Sequence, residues 1–279
     1  MNEVMFLICL AFLWISFASF QDLKKREVAN WLSFSLVIFA LGYRFFYSLF
    51  FENFNFLLQG LIGLGIFFLI GNLFYYSRMF AGGDAKLMIA LGAVLPFSEN
   101  LIINLEIFLF FIVAFLIVGG IYGIIISLVL GLRNFKNFKC EYKNLFNKKK
   151  KLIYSAMIFG LVLMIFGFSQ NMFFILGIII FIFPYFYVYA KAVDEACMVR
   201  KVKTKSLTEG DWLYQNVKVG NKLIKAKWEG LGKKEINLIQ KNKKEILIRQ
   251  GIPFVPVFWF SFLILVYVYF FKKFSLILF

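Results

Sequence analysis

The chain has 279 residues, 62% of them hydrophobic and 21% aromatic, with 40 phenylalanines and a formal net charge of +16. That much apolar surface cannot be hidden in a soluble core of this size, so the composition predicts a polytopic membrane protein. The sequence contains no histidine, which excludes Ser-His and Cys-His nucleophiles, His-ligated zinc and HExxH chemistry; in a hydrolase built from it the carboxylates are the natural place to look.

The first apolar run covers residues 4–20. It lacks a basic leading segment and an A-x-A cleavage site and is followed by Lys24, Lys25 and Arg26, which predicts an uncleaved first helix. Further runs cover 31–51, 56–76, 85–103, 107–132, 152–168, 172–190 and 252–271. Each approaches the roughly 20 residues needed to cross hydrocarbon, which predicts about eight helices. The fourth is the weakest, because Pro96, Ser98, Glu99 and Asn100 interrupt it, and a short or tilted span is expected there. Arg44, inside the second run, is expected to snorkel to the outer face, and Asn30 to cap the second helix. Pro184 is expected to kink the seventh helix, and Pro253 and Pro256 to shape entry to the eighth.

Basic residues alternate between connections. Lys24, Lys25 and Arg26 lie in the first, Arg78 and Lys86 in the third, eight lysines and arginines between 133 and 151, and fifteen between 191 and 249. The even connections carry Glu52, Glu99 and Glu106 instead. By the positive-inside rule the N-terminus is outside and the odd connections are cytoplasmic, with Lys272 and Lys273 as a contrary signal. The net charge then reflects orientation and attraction to anionic headgroups, not nucleic acid binding, and Lys148 to Lys151 reads as a solvated turn. Cys9, Cys140 and Cys197 form no CxxC, so neither a zinc module nor a redox motif is supported.

Residues 191–249 have soluble character. Trp212-Leu213-Tyr214 and 217–226 alternate like short strands, Gly210-Asp211 and Gly220-Asn221 are turn signals, and Lys233 to Lys244 reads as a helix. The expected fold is an all-α polytopic membrane protein of about six to eight transmembrane helices, with a small cytoplasmic α+β domain inserted before the last helix. The expected division is a membrane helical catalytic domain at 1–190, a cytoplasmic domain at 191–250 and a C-terminal transmembrane helix at 251–279.

Two acids stand out beside the apolar runs: Asp22, after the first, and Asp84, after the third in Gly82-Gly83-Asp84. Singly each has a bland reading, Asp22 as an interfacial partner of Lys24, Lys25 or Arg26, Asp84 as the cap of a helix starting near Ala85. Together they supply the general base and proton donor that activation of a water requires. The glycines allow positive φ or close approach of a substrate chain. The helix N-terminus stabilises anionic Asp84, whereas the helix end at Asp22 favours its protonated form. Convergence would leave one shared proton.

The run from Asp22 to Trp31 resembles the first-aspartate segment of type IV prepilin peptidases, and Gly82-Gly83-Asp84-Ala85-Lys86 resembles their GxGD segment. Glu209-Gly210-Asp211-Trp212 and Gly251-Ile252-Pro253-Phe254-Val255-Pro256 resemble the C-terminal region of the archaeal branch, the preflagellin and prepilin peptidases. Ala81 stands where a strict GxGD has glycine, a departure tolerated unless positive φ is needed there. The resemblance implies an aspartic endopeptidase with Asp22 and Asp84 catalytic and neither metal nor organic cofactor. Its implied partners are membrane lipid and prepilin or preflagellin precursors, whose short basic leader is cut at the cytoplasmic face of the cell membrane. The cysteine-rich zinc segment of many bacterial relatives is absent, and with it the reason to expect N-methyltransferase activity. The Tyr-Asp partner of the signal-peptide-peptidase and presenilin group is also missing. The competing reading is a non-enzymatic transporter or filament-assembly platform, but a transporter prefers ionisable residues near the bilayer midplane.

Overall fold

The computed structural model describes residues 2–168, 171–220 and 222–271. Among the described residues, five helices are long and apolar enough to cross a membrane: α1 (Asn2–Lys25), α2 (Asn30–Phe50), α3 (Phe54–Tyr76), α5 (Leu101–Arg133) and α8 (Asn171–Cys197). Between them lie α4 (Gly82–Gly92), α6 (Phe135–Lys148) and α7 (Lys150–Phe166); after α8 come α9 (Lys233–Asn242) and α10 (Pro256–Phe271). The protein is thus a polytopic helical membrane protein with a small strand-containing part near its C-terminus. The chain divides into two compact units, residues 1–123 with 252–279, and residues 124–251.

In the first unit, α1 to α4, the start of α5 and α10 enclose one apolar core that includes Leu7, Ile15, Leu36, Phe67, Leu87, Phe111 and Phe258. The fourth apolar run is not a single span. Helix α4 ends at Gly92, residues 93–100 continue without helix, and α5 begins at Leu101. The non-helical stretch reaches the α2–α3 connection, where Asn55 Nδ2 donates to the Glu99 carbonyl at 2.9 Å and Gln59 Nε2 to the same oxygen at 3.2 Å. Asn104, also buried, holds Gln59 Oε1 at 2.9 Å and the Ser98 carbonyl at 2.7 Å. A half-helix followed by irregular chain therefore runs along α3.

Such a break leaves carbonyls of the stretch that follows α4 without helical donors, in a setting where water cannot replace them. Arg44 supplies the donors. Its Nε donates to the Ala93 carbonyl at 2.9 Å, Nη2 to those of Val94 at 3.2 Å and Pro96 at 2.6 Å, and Nη1 to that of Phe56 at 2.9 Å. Its guanidinium lies 4.4 Å from the centroid of the Phe56 ring. The side chain is 0% exposed, so Arg44 does not snorkel to the surface as its place in an apolar run suggests. Gly60 leaves the space it occupies, since a Cβ there would meet Arg44 Cδ. The backbones of α3 and α4 approach closely at Gly63 and Gly92, where a Cβ on Gly92 would come within 2.6 Å of the Gly63 carbonyl oxygen.

In the second unit α7 and α8 pack backbone to backbone: a Cβ on Gly160 would lie 2.9 Å from the Gly177 carbonyl oxygen. Pro184 is buried inside α8. The basic stretch after Arg133 is mostly helix, not loop, because Phe135, Phe138, Tyr142 and Phe146 recur at helical spacing between the lysines of α6. The Lys148 to Lys151 cluster straddles a turn at Lys149, where α6 ends and α7 starts.

The strand-containing part has a three-stranded antiparallel sheet in the order β1 (Val199–Lys203), β5 (Glu245–Arg249), β2 (Trp212–Leu213), and a hairpin of β3 (Val217–Val219) with β4 (Lys222–Ile224). The expected strands at 212–214 and 217–226 and the expected helix at 233 are present, with positive φ at Gly210 and Gly220. Strands β1 and β5 carry too little alternation to stand out. They pair Val199 with Arg249 through to Lys203 with Glu245, and their inner residues join the core of Ile236, Ile239, Ile246 and Ile248. Arg249 ties the sheet to the end of α8 through Asp194 at 3.1 Å and Glu195 at 3.5 Å. Lys272, Lys273 and Asn221 lie outside the described residues.

Candidate active site

Asp22 lies on the last turn of α1, which runs five residues beyond the first apolar stretch. Arg26 ends the helix in a left-handed conformation, φ 59°, with its N–H on the Asp22 carbonyl at 2.7 Å, the usual way to satisfy a terminal carbonyl. The Asp22 side chain turns inward and is 5% exposed. Its Oδ2 accepts the Val255 N–H at 2.9 Å, and the Phe254 N–H is a second donor to the carboxylate. Both donors belong to the turn before α10, whose first residue is Pro256. Proline fits that position, where no helical N–H is needed. The Pro253 carbonyl takes the Tyr122 hydroxyl at 2.9 Å, and the Phe254 ring packs 5.7 Å from that of Phe115. The turn is thus held from both sides with its N–H groups on Asp22. Sequence reasoning identifies the two prolines but not these donors, because backbone groups leave no mark on composition.

Asp84 is half-buried and is the third residue of α4, which begins at Gly82 and not near Ala85. Its carboxylate accepts the N–H of Ala81, the residue preceding the helix, as the third residue does in one half of a capping box. Ala81 is extended, φ −71° and ψ 161°, so alanine is accommodated without strain where the strict motif has glycine. Gly83 has helical backbone, and neither motif glycine has positive φ. A methyl on Gly83 would lie 3.4 Å from Val28 Cβ, an ordinary contact. The expectation that Gly83 serves an unusual backbone conformation is therefore corrected: it lies flush against the connection that follows Asp22. Gly83→Ala is expected to leave the melting temperature within about 2 °C of the parent or raise it, since alanine exceeds glycine in helix propensity by about 1 kcal/mol. A drop in melting temperature of more than about 5 °C would contradict the packing described.

The connections after α1 and α3 lie side by side. Val28 faces Gly83, and Lys86 Nζ donates to Asn30 Oδ1 at 2.7 Å. Asn30 is therefore the first residue of α2 and a partner of Lys86; the preceding Ala29 occupies the cap position. The two carboxylates share this end of the bundle. Burial, and after it the charge of Asp22, push the Asp84 carboxyl up to about 7, with the Ala81 N–H opposing. Helix position alone predicts an anionic Asp84. Packing reverses that, since burial and a neighbouring carboxylate outweigh the half-charge of a helix N-terminus. Asp22, with two N–H donors on it, is the better placed of the pair to carry the charge, and Asp84 to hold the proton.

Residues 9–128 match the sequence model of the Type IV leader peptidase family. The match covers less than half of the chain. It contains both aspartates, α2, α3, the half-helix α4 and nearly all of α5. The preflagellin peptidase of Methanocaldococcus jannaschii is 35% identical over 79 residues, and that of Methanococcus maripaludis 30% identical over 79 residues. Each alignment covers 28% of this chain, and 33% and 34% of the respective relative. The chain thus spans about a third of the length of the curated relatives it matches. The three cysteines are free, and among the described residues no cluster of His, Cys, Asp and Glu could hold a metal ion.

Proposed function

We propose that this protein is an aspartic endopeptidase that removes the leader peptide from preflagellin or prepilin-like precursors, with Asp22 and Asp84 as its catalytic pair. The observation that carries the reading is that these acids, far apart in sequence, come to one end of the helical unit within range of each other's charge, inside a segment that matches the leader peptidase family. Asp22 takes a proton from a water whose oxygen attacks the scissile carbonyl, while Asp84 gives its proton to the carbonyl oxygen. When the tetrahedral intermediate collapses the C–N bond breaks. The proton held on Asp22 passes to the leaving amine, and Asp84 recovers its own from the collapsing hydroxyl. The water and the two carboxylates account for every proton, and no cofactor enters the scheme.

The loop charges support a cytoplasmic position in the cell membrane for this end of the bundle. Against the transporter reading, both acids lie at helix ends, not at mid-helix. Incubation of the detergent-purified full chain with full-length preflagellin and prepilin precursors, followed by N-terminal mapping of products, tests the activity. A new N-terminus at the end of the basic leader is expected, and intact precursors throughout would overturn the proposal. For orientation, a cysteine at Asn53 in a cysteine-free background is expected to react with an impermeant thiol reagent added outside whole cells, and one at Lys25 to be protected. The reverse pattern would put the carboxylates on the wrong side for a cytoplasmic leader.

A further inference from the structure

Helix α4 presents a second face, away from Asp84. At 100° per residue, Gly82, Ala85, Lys86 and Ile89 lie on the side roughly opposite Asp84, where they floor a groove of about 650 Å³ between α2 and α3. Its walls are apolar, with Phe34 and Ile38 on one side and Leu64 and Phe68 on the other. One end is polar: Lys86 and Asn72 line it, with Lys86 bonded to Asn30. The amine has a neutral partner there, and no carboxylate pairs with it among the described residues. A cation left without an acid at the mouth of an apolar groove is complementary to an amphiphile with an anionic head.

The depth of the groove decides which amphiphile. From Leu64 to Tyr75 it follows α3 for about 16 Å at 1.5 Å per residue, about half the ~30 Å of a bilayer's hydrocarbon. A precursor's membrane-spanning helix would need twice that length, whereas a lipid of one leaflet has it. The groove starts at the level of the two aspartates, where headgroups lie if that end is interfacial. We propose that it binds one anionic phospholipid, with a chain along α4 and the phosphoryl group on Lys86. This goes beyond the proposed proteolysis and does not depend on it.

The test reads lipid, not cleavage. The full chain is reconstituted in nanodiscs of equal phosphatidylcholine and phosphatidylglycerol, extracted in detergent, and its retained lipid identified by native mass spectrometry. The parent protein is expected to retain phosphatidylglycerol about five-fold over phosphatidylcholine, as one interfacial lysine is worth about 1 kcal/mol towards an anionic headgroup. Lys86→Gln, at the groove's rim, is expected to abolish that preference, and Val37→Trp, which fills the apolar part, to lower retention of both lipids. Unchanged preference in Lys86→Gln, or unchanged retention in Val37→Trp, overturns the site. A photo-crosslinking residue at Ile38 gives a readout in the unperturbed fold. A lipid adduct supports the proposal, and an adduct with an added precursor in its place would assign the groove to substrate.

Discussion

Asp22→Asn and Asp84→Asn are each expected to abolish precursor processing, by at least about 1000-fold, while the protein still inserts and folds. An amide keeps the volume and the acceptor oxygen that holds the Val255 N–H on residue 22 or the Ala81 N–H on residue 84. It cannot exchange a proton with water or with a carbonyl oxygen. Cleavage by either variant at the parental rate would sink the mechanism. The two differ in a second respect. Asp84, ordinarily near 3.8, is pushed up to about 7 in the folded protein. An acid raised in the folded state binds its proton more tightly there than in the unfolded chain, so stability declines as pH climbs from about 4 to about 7 and the loss is complete above that. Asp84→Asn removes the penalty. It is expected to melt higher than the parent at pH 8 and close to it at pH 4, whereas an inactive variant that is simply misfolded would melt lower at both. Asp22→Asn removes the neighbouring charge that helps raise Asp84 and is expected to move the window of pH-dependent stability to lower pH.

Arg44→Leu is expected to be the most destabilising single change in the first unit, by about 4 kcal/mol or more. It leaves the carbonyls of Ala93, Val94, Pro96 and Phe56 without their donors, and each buried acceptor so abandoned costs about 1 to 3 kcal/mol. The guanidinium also offsets the negative end of the α4 dipole. Arg44→Lys keeps the charge but loses the planar fork that reaches all four carbonyls, so an intermediate loss is expected. Thermal melting of the three proteins in one detergent orders them. A leucine variant that melts within about 2 °C of the parent would show that the carbonyls find other donors. Because Arg44 fixes the far end of the half-helix that begins at Gly82, any Arg44→Lys protein that folds is expected to process precursors more slowly through displacement of Asp84, although residue 44 touches neither carboxylate.

Sequence alone determined what local chemistry dictates. The long apolar runs became α1, α2, α3, α5 and α8 because apolar length is a one-dimensional property, and the residues breaking the fourth run at Pro96 to Asn100 did break its helix. The soluble character of residues 191–249 likewise appeared as strands and a helix, with glycines at the turns. The pairing of Asp22 with Asp84 was inferred from residue type and from a family pattern, and the structure places both at one end of the unit. What sequence could not decide is where each polar group finds its partner. Arg44 reads as a snorkelling surface residue until the broken helix it serves is folded beside it, because three of the four carbonyls it binds lie about fifty residues away and nothing along the chain pairs them with residue 44. Helix position assigns the charge to Asp84, whereas the two N–H groups before α10 favour it on Asp22. Gly83 reads as a conformational necessity and is instead a packing face against Val28. In each case the deciding energy is desolvation or a long-range hydrogen bond, which depends on neighbours in space and leaves no trace in the order of residues along the chain.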